Sequence, residues 1–214
     1  MNKIHIQLEE GQKIWFTSDL HFGHRNVIRF CARPFTDEKD MTEKLISNWN
    51  EQVGENDIVF VLGDTFWFND SRSIKKVLDR LNGKTIYMLP GNHDDFEHYH
   101  RVDTERIKLL SDVVVMWLQE FNSSKKHEIW MSHYPMMTWP HRDHNTIQLF
   151  GHIHSKNGGR PGDFDQNLPL HWNQCDVGCD YWGYKPVSFA TLKEFFVINP
   201  ALLLDQQNQK KNLE

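Results

Sequence analysis

The sequence predicts an α/β layered sandwich, two facing sheets with helices outside, on three observations. Short β-rich runs recur along the whole chain, at 13–18, 57–62, 85–89, 113–118, 128–131, 147–150 and 195–198. Helical patterns separate the first three runs. The back half returns mostly to strands and turns, so the chain is neither a pure alternation of strand and helix nor all-β.

The run 13–18, with Ile14, Trp15 and Phe16, is short and apolar, as a buried strand requires. Met41, Leu45, Trp49 and Val53 then line one helical face before Gly54, whose missing Cβ suits a helix end. After the strand 57–62, Ile74, Val77, Leu78 and Leu81 repeat the helical spacing up to Gly83. Strand 85–89 follows, and a third helix is expected around 103–110. Strands 113–118 and 128–131 flank a hairpin turn at 122–126. Between 155 and 169 glycine and proline dominate, which predicts a long loop, a functional lid or a mobile insertion. Residues 1–204 are expected to form a single domain, and 205–214 a polar tail.

Twenty-four basic against 29 acidic side chains give a net charge of −5, too acidic for a protein that coats nucleic acid by neutralising phosphates. The apolar runs are far shorter than a membrane span and the amino terminus alternates polar and apolar, so no membrane partner is expected and a cytoplasmic location is. Cys31, Cys175 and Cys179 form no CxxC pair and are expected to be reduced. Oligomeric state is not legible at this level. Thirteen histidines are the compositional oddity.

Strand after strand ends in metal-ligand or acid–base residue types. The run 13–18 meets Asp19 and His21, 57–62 meets Gly63 and Asp64, and 85–89 leads to Gly91, Asn92, His93 and Asp94. The run ending at Ser132 meets His133, and 147–150 meets Gly151, His152 and His154. Carboxyl ends of neighbouring strands converge on one crevice, so these groups can meet in space. The i, i+2 spacing of Asp19 with His21, and of His152 with His154, puts each pair on one face of an extended segment. Two carboxylates, one amide and four imidazoles suit Mn²⁺, Fe or Zn²⁺, and the absence of thiolate argues against a structural zinc site. A lone Asp-x-His or His-x-His is more often a turn; the ordered set is specific.

At these residues the sequence resembles the calcineurin-like metallophosphoesterases, whose signature is DxH, GD, GNH followed by Asp or Glu, a separate His, and GHxH. It is most similar to the small bacterial and phage members without a cap domain. The resemblance implies a four-layer αββα sandwich holding two divalent metal ions, Mn first and Fe, Zn or Ni as alternatives. Asp19, His21 and His154 would hold one ion and Asn92, His133 and His152 the other, with Asp64 bridging. A hydroxide shared by the ions would attack phosphorus, and His93 would assist the leaving oxygen, general-acid work typically contributing about 10²–10⁴-fold. Asp94, Asp95 and Asp70 are the candidates to orient His93. Trp67 stands where the purple acid phosphatases carry a ligand tyrosine, so no tyrosinate centre is expected.

Around this core, His24 and Arg25 offer a donor pair for phosphate oxygens. Trp139, His141, Trp172, Tyr181, Trp182 and Tyr184 offer walls that would stack on a nucleobase or aryl group. The segment from Asp176 to Asp180 is assigned packing and turn duties. The expected activity is hydrolysis of a small phosphoester, a nucleotide among the candidates. A phosphodiester is preferred, because few arginines stand near the site and no cap is evident. The alternatives are a phosphomonoesterase or nucleotide phosphatase of the same fold, or a catalytically weak binding scaffold.

Overall fold

The computed structural model describes residues 1–68, 70–94, 99, 105–155 and 170–197. Its strands are β1 (Asn2–Gln7), β2 (Ile14–Thr17), β3 (Ile58–Leu62), β4 (Thr85–Leu89), β5 (Ile107–Leu109), β6 (Val113–Gln119), β7 (Lys126–Ser132), β8 (Ile147–Phe150), β9 (Gln174–Asp176) and β10 (Val187–Ser188). Its helices are α1 (Arg25–Phe30), α2 (Glu38–Gln52), α3 (Ser71–Leu78) and α4 (Phe189–Val197).

Two mixed five-stranded sheets face each other, ordered β10-β2-β3-β4-β5 and β1-β6-β7-β8-β9. In the first, β2 to β5 run parallel and β10 is antiparallel to β2. In the second, only the β6–β7 pair is antiparallel. The expected α/β sandwich of two sheets flanked by helices is the architecture observed.

β3 is buried on both faces, and its alternation divides the core into two layers. Phe60 and Leu62 join Phe16 and Leu89 against Met116, Leu118, Ile129, Met131 and Leu149 of the other sheet. Val59 and Val61 look outward to Met41, Leu45 and Trp49 of α2 and to Ile74 and Val77 of α3. On the far side of the second sheet, Val115 and Trp130 are covered by Trp139 from the loop after β7. α2 and α3 each start on an aspartate: Asp37 accepts from the amides of Lys39 and Asp40, and Asp70 from that of Ser73.

Two expected elements change type. Helix 103–110 gives way, over its described part, to β5, because Ile107 and Leu109 pair with Ile86 and Met88 at the edge of the first sheet. Over its described part, 195–197, the strand expected at 195–198 is the end of α4, whose buried Phe189, Leu192 and Phe195 recur every three residues. Ser188 Oγ starts that helix by accepting from the Thr191 amide. Sequence periodicity also missed β1, β9, β10 and α1. The loop segment 156–169 and the tail 205–214 lie outside the described residues.

Asp57 ties the start of the first sheet to the α2–β3 turn. Its buried carboxylate accepts from the Lys13 amide (2.8 Å), Trp15 Nε1 (2.8 Å) and the Gly54 amide (2.9 Å). Replacing it with alanine strands three donors at once. Asp57→Ala should cost on the order of 2–4 kcal/mol in urea unfolding, with Asp57→Asn recovering part of the loss.

Candidate metal centre

The carboxyl ends of β2, β3, β4, β7, β8 and β9 meet at one end of the sandwich. A parallel bridge between Ser18 and Gly178, with the Cys179 amide donating to Ser18 O (3.0 Å), joins the sheets there. Five of the seven candidate ligands have left-handed backbone: Asp19 (φ 57°), His21 (52°), Asp64 (52°), His152 (71°) and His154 (47°). That conformation is uncommon for a residue with a Cβ, and it turns each side chain back over the strand ends.

The turns approach one another closely. A Cβ at Gly63 would lie 2.5 Å from His133 Nδ1 and 2.7 Å from Gly91 Cα, one at Gly91 would run into Asp64, and one at Gly151 would meet Asp19 Oδ2 at 2.5 Å. Asp94 holds the first two turns together by accepting from the amides of Asp64 (2.7 Å), Thr65 (3.0 Å) and Gly91 (2.9 Å) and from the Tyr99 hydroxyl. It therefore fixes the backbone rather than the His93 ring. Asp70 caps α3, and Asp95 lies outside the described residues.

All seven candidate ligands come together, in two overlapping groups. In one, donor atoms of Asp19, His21 and His154 lie within 4.8 Å of each other, and so do those of Asp19, Asp64 and His133. In the other, Asn92 Oδ1 is 3.0 Å from His133 Nε2 and 2.9 Å from His152 Nδ1. Asp64 Oδ2 stands between the groups, 3.6 Å from His21 Nε2 and 3.5 Å from His133 Nε2.

The electrostatics fit a cation. Among the described residues Asp19 Oδ1 and His21 Nε2 are buried with no hydrogen-bond partner, a costly arrangement unless a positive ion takes both lone pairs. Burial pushes the Asp19 carboxyl up to about 6 and the His21 imidazole down to about 2. Burial also opposes charge on Asp64, but the His133 hydrogen bond and charge, with the His93 amide, hold it at about 2. Neutral imidazoles and ionised carboxylates are the protonation states a divalent ion selects.

Ring orientation is set from behind. His133 Nδ1 is 2.8 Å from the Leu62 carbonyl oxygen, which leaves Nε2 facing Asp64. His154 Nδ1 is 2.7 Å from Asp180 Oδ2, and Asp180 also forms a two-point ion pair with Arg33 (3.0 and 2.7 Å). Arg33 in turn donates to the carbonyls of Asp19 (2.6 Å) and Leu20 (3.1 Å). Burial lowers the His154 pKa, yet the hydrogen bonds with Asp180 and Cys31 and the charge of Asp19 outweigh it and raise the imidazole to about 10. Asp180 is thus part of the site and not merely a turn residue, whereas Asp176 does serve its turn, accepting from the amides of Ser155 and Gly178.

The outer candidates divide. His93 is exposed at the rim, its ring centroid 5.7 Å from that of His21. His24 is buried flat against Trp67, with its Nδ1 3.4 Å from His21 Nδ1. Arg25 is exposed at the start of α1, where its charge acts on Asp37. Most of the expected aromatic wall is structural. Trp139 covers Trp130, Tyr181 and Trp182 pack on Phe195, Tyr184 packs on Phe35, and His141 pairs with Glu128. Trp172 is half-buried beside His171.

A cluster of carboxylates and imidazoles at the shared end of two sheets is a setting for hydrolytic metal chemistry. The calcineurin-like phosphoesterase model matches residues 12–182, and the chain belongs to that family. The chain is 41% identical over 92 residues to an uncharacterised protein of Methanocaldococcus jannaschii, covering 42% of this chain and 52%, about half, of that one. It is 29% identical over 194 residues to the gene 66 protein of mycobacteriophage D29, covering 79% of this chain and 88% of the phage protein. A crystal structure of a protein of unknown function from Aquifex aeolicus shares the fold, with a TM-score of 0.62, 21% identity, and coverage of 86% of this chain and 99% of that one. No helix among the described residues is long and apolar enough to cross a membrane.

Two outcomes test the centre. Chelation should lower the melting temperature and Mn²⁺ restore it, since an ion bound only by the folded state stabilises by mass action. Asp180→Asn, which weakens the hold on His154, should reduce Mn²⁺ affinity about 10–100-fold in calorimetric titration.

Proposed function

We propose that the protein is a dinuclear metal-dependent phosphoesterase that prefers phosphodiesters, with Mn²⁺ as the first candidate ion. The observation that carries this reading is Asp64 Oδ2, placed between His21 Nε2 (3.6 Å) and His133 Nε2 (3.5 Å) as a carboxylate that two ions would share. Asp19, His21 and His154 would complete one ligand set and Asn92, His133 and His152 the other. Two such ions would lower the pKa of a water held between them into the neutral range and offset negative charge gathering on the phosphoryl oxygens.

The chain's own groups supply the rest. Asp64 is fixed for bridging because its Oδ1 accepts from the His93 amide at 2.9 Å. The same turn therefore sets the His93 ring at the rim, where an imidazole can pass a proton to the departing ester oxygen. Arg33, the guanidinium that acts on both His21 and His24, is held by Asp180 and main-chain carbonyls. Arg25 is at the start of α1 and exposed. Among the described residues the site has so little free guanidinium that it suits the single negative charge of a diester better than the dianion of a monoester.

The test is metal removal, reloading with Mn²⁺, and comparison of bis-p-nitrophenyl phosphate with p-nitrophenyl phosphate. Faster metal-dependent release from the diester is expected. Asp64→Asn should abolish it, and His93→Ala should lower kcat about 10²–10⁴-fold with bound metal retained. Two ions bound with no turnover of either ester would instead favour a binding scaffold.

A further inference from the structure

Two exposed aromatic rings touch the imidazoles of the centre, and the catalytic chemistry above uses neither. Trp67 is 43% exposed and Tyr134 51%. The His24 ring lies parallel to the Trp67 ring (3.8 Å, 6°), and His93 is 5.0 Å from Trp67 and 6.5 Å from His24. These three separations put His93 about a right angle away from the stacking direction, at the indole's edge. One face of Trp67 is therefore backed by His24, the edge meets His93, and the second face is left to carry the exposure. At the other end of the imidazole string, Tyr134 stands edge-on to His152 (4.5 Å) and His133 (5.1 Å).

Both rings stand on fixed backbone. The Trp67 amide donates to Phe22 O at 2.9 Å, and the Tyr134 carbonyl accepts from Ser132 Oγ at 2.6 Å and Gln148 Nε2 at 3.3 Å. Large rings held open to water beside a polar centre are surfaces for a flat ligand. They flank the two candidate ligand sets separately: Trp67 the His21 side through His24 and His93, Tyr134 the His133–His152 side.

We propose that Trp67 and Tyr134 are paired shelves for the two arms of the substrate, which is a short nucleoside phosphodiester. A phosphodiester has two ester arms, and nucleoside diesters are the common biological ones that present a flat ring on each. The proposal rests on the phosphoesterase reading and extends it to a substrate class. Because His93 lies against Trp67, the departing arm stacks on Trp67 and the retained arm on Tyr134. The chain's net charge of −5 weighs against a long polyanion as the ligand.

The experiment compares kcat/KM for thymidine 5′-p-nitrophenyl phosphate and methyl p-nitrophenyl phosphate, which share a leaving group and differ in the retained arm. The wild type should favour the thymidine ester about five- to a hundredfold, the range expected from one stacked base. Tyr134→Ala should bring the ratio close to one and Tyr134→Phe preserve it, whereas Trp67→Ala should lower turnover of both esters with the ratio kept. A wild-type ratio near one, or a ratio that Tyr134→Ala leaves unchanged, overturns the shelves while metal-dependent turnover still upholds the phosphoesterase. If neither ester is hydrolysed with any of the divalent ions, the phosphoesterase reading fails. The shelves are then judged by calorimetric binding of dithymidine monophosphate to the Mn²⁺-loaded protein. Affinity at least fivefold weaker in Trp67→Ala and Tyr134→Ala sustains them, and equal affinity or no binding overturns them.

Discussion

The close approach of the strand-end turns is the constraint on which the site depends. Backbone from β3, β4 and β8 comes together where side chains would ordinarily hold it apart, and it does so only because Gly63, Gly91 and Gly151 lack a Cβ. Asp94 then uses one carboxylate to satisfy three amides from two of these turns. With amides joined in this way, Asp64 has a single place to go, and the left-handed backbone at Asp19, His21, His152 and His154 is held by its surroundings rather than by preference. The 214-residue chain delivers a few side chains to within 4.8 Å of one another.

A second layer of order comes from Arg33. Its guanidinium is buried, paired at two points with Asp180 and bonded to two main-chain carbonyls, so every charge it brings inside has a partner. The effect is to place a fixed hydrogen-bond acceptor behind His154 while holding the backbone that carries Asp19. One ion pair thereby sets the direction of two donors. The same logic recurs with a neutral acceptor at His133, where the Leu62 carbonyl does the orienting.

The sequence showed the site far better than it showed the supports of the site. Motifs such as Asp19-Leu20-His21 and Gly151-His152-Ile153-His154 are local, and strand ends are where local chemistry and topology coincide. Most core strands were legible for the same reason, being apolar runs bounded by turns. β1 was not, because it is an edge strand with exposed alternate positions, and β5 was not, because three residues at a sheet edge carry too little periodicity. The run Phe195-Phe196-Val197 looks like a strand in isolation and becomes helix through residues that precede it. Asp180 escaped notice because its partner Arg33 is 147 positions away. Trp67 and Tyr134 escaped for a different reason: sequence counts aromatic residues but does not say which remain open once the core has taken its share.

The two ligand groups each draw on both sheets. Asp19 and His21 leave β2 while His154 follows β8; Asn92 follows β4 while His133 and His152 follow β7 and β8. β1 lies in one sheet, beside β6, and the chain crosses to the other at β2. During synthesis β1 must therefore wait for a partner more than a hundred residues downstream, and neither ligand group can assemble until both sheets have docked. Sheet docking and assembly of the ligand groups are consequently one event, and a cation bound there would act as a rivet through the sandwich that commits a non-local topology to its native pairing.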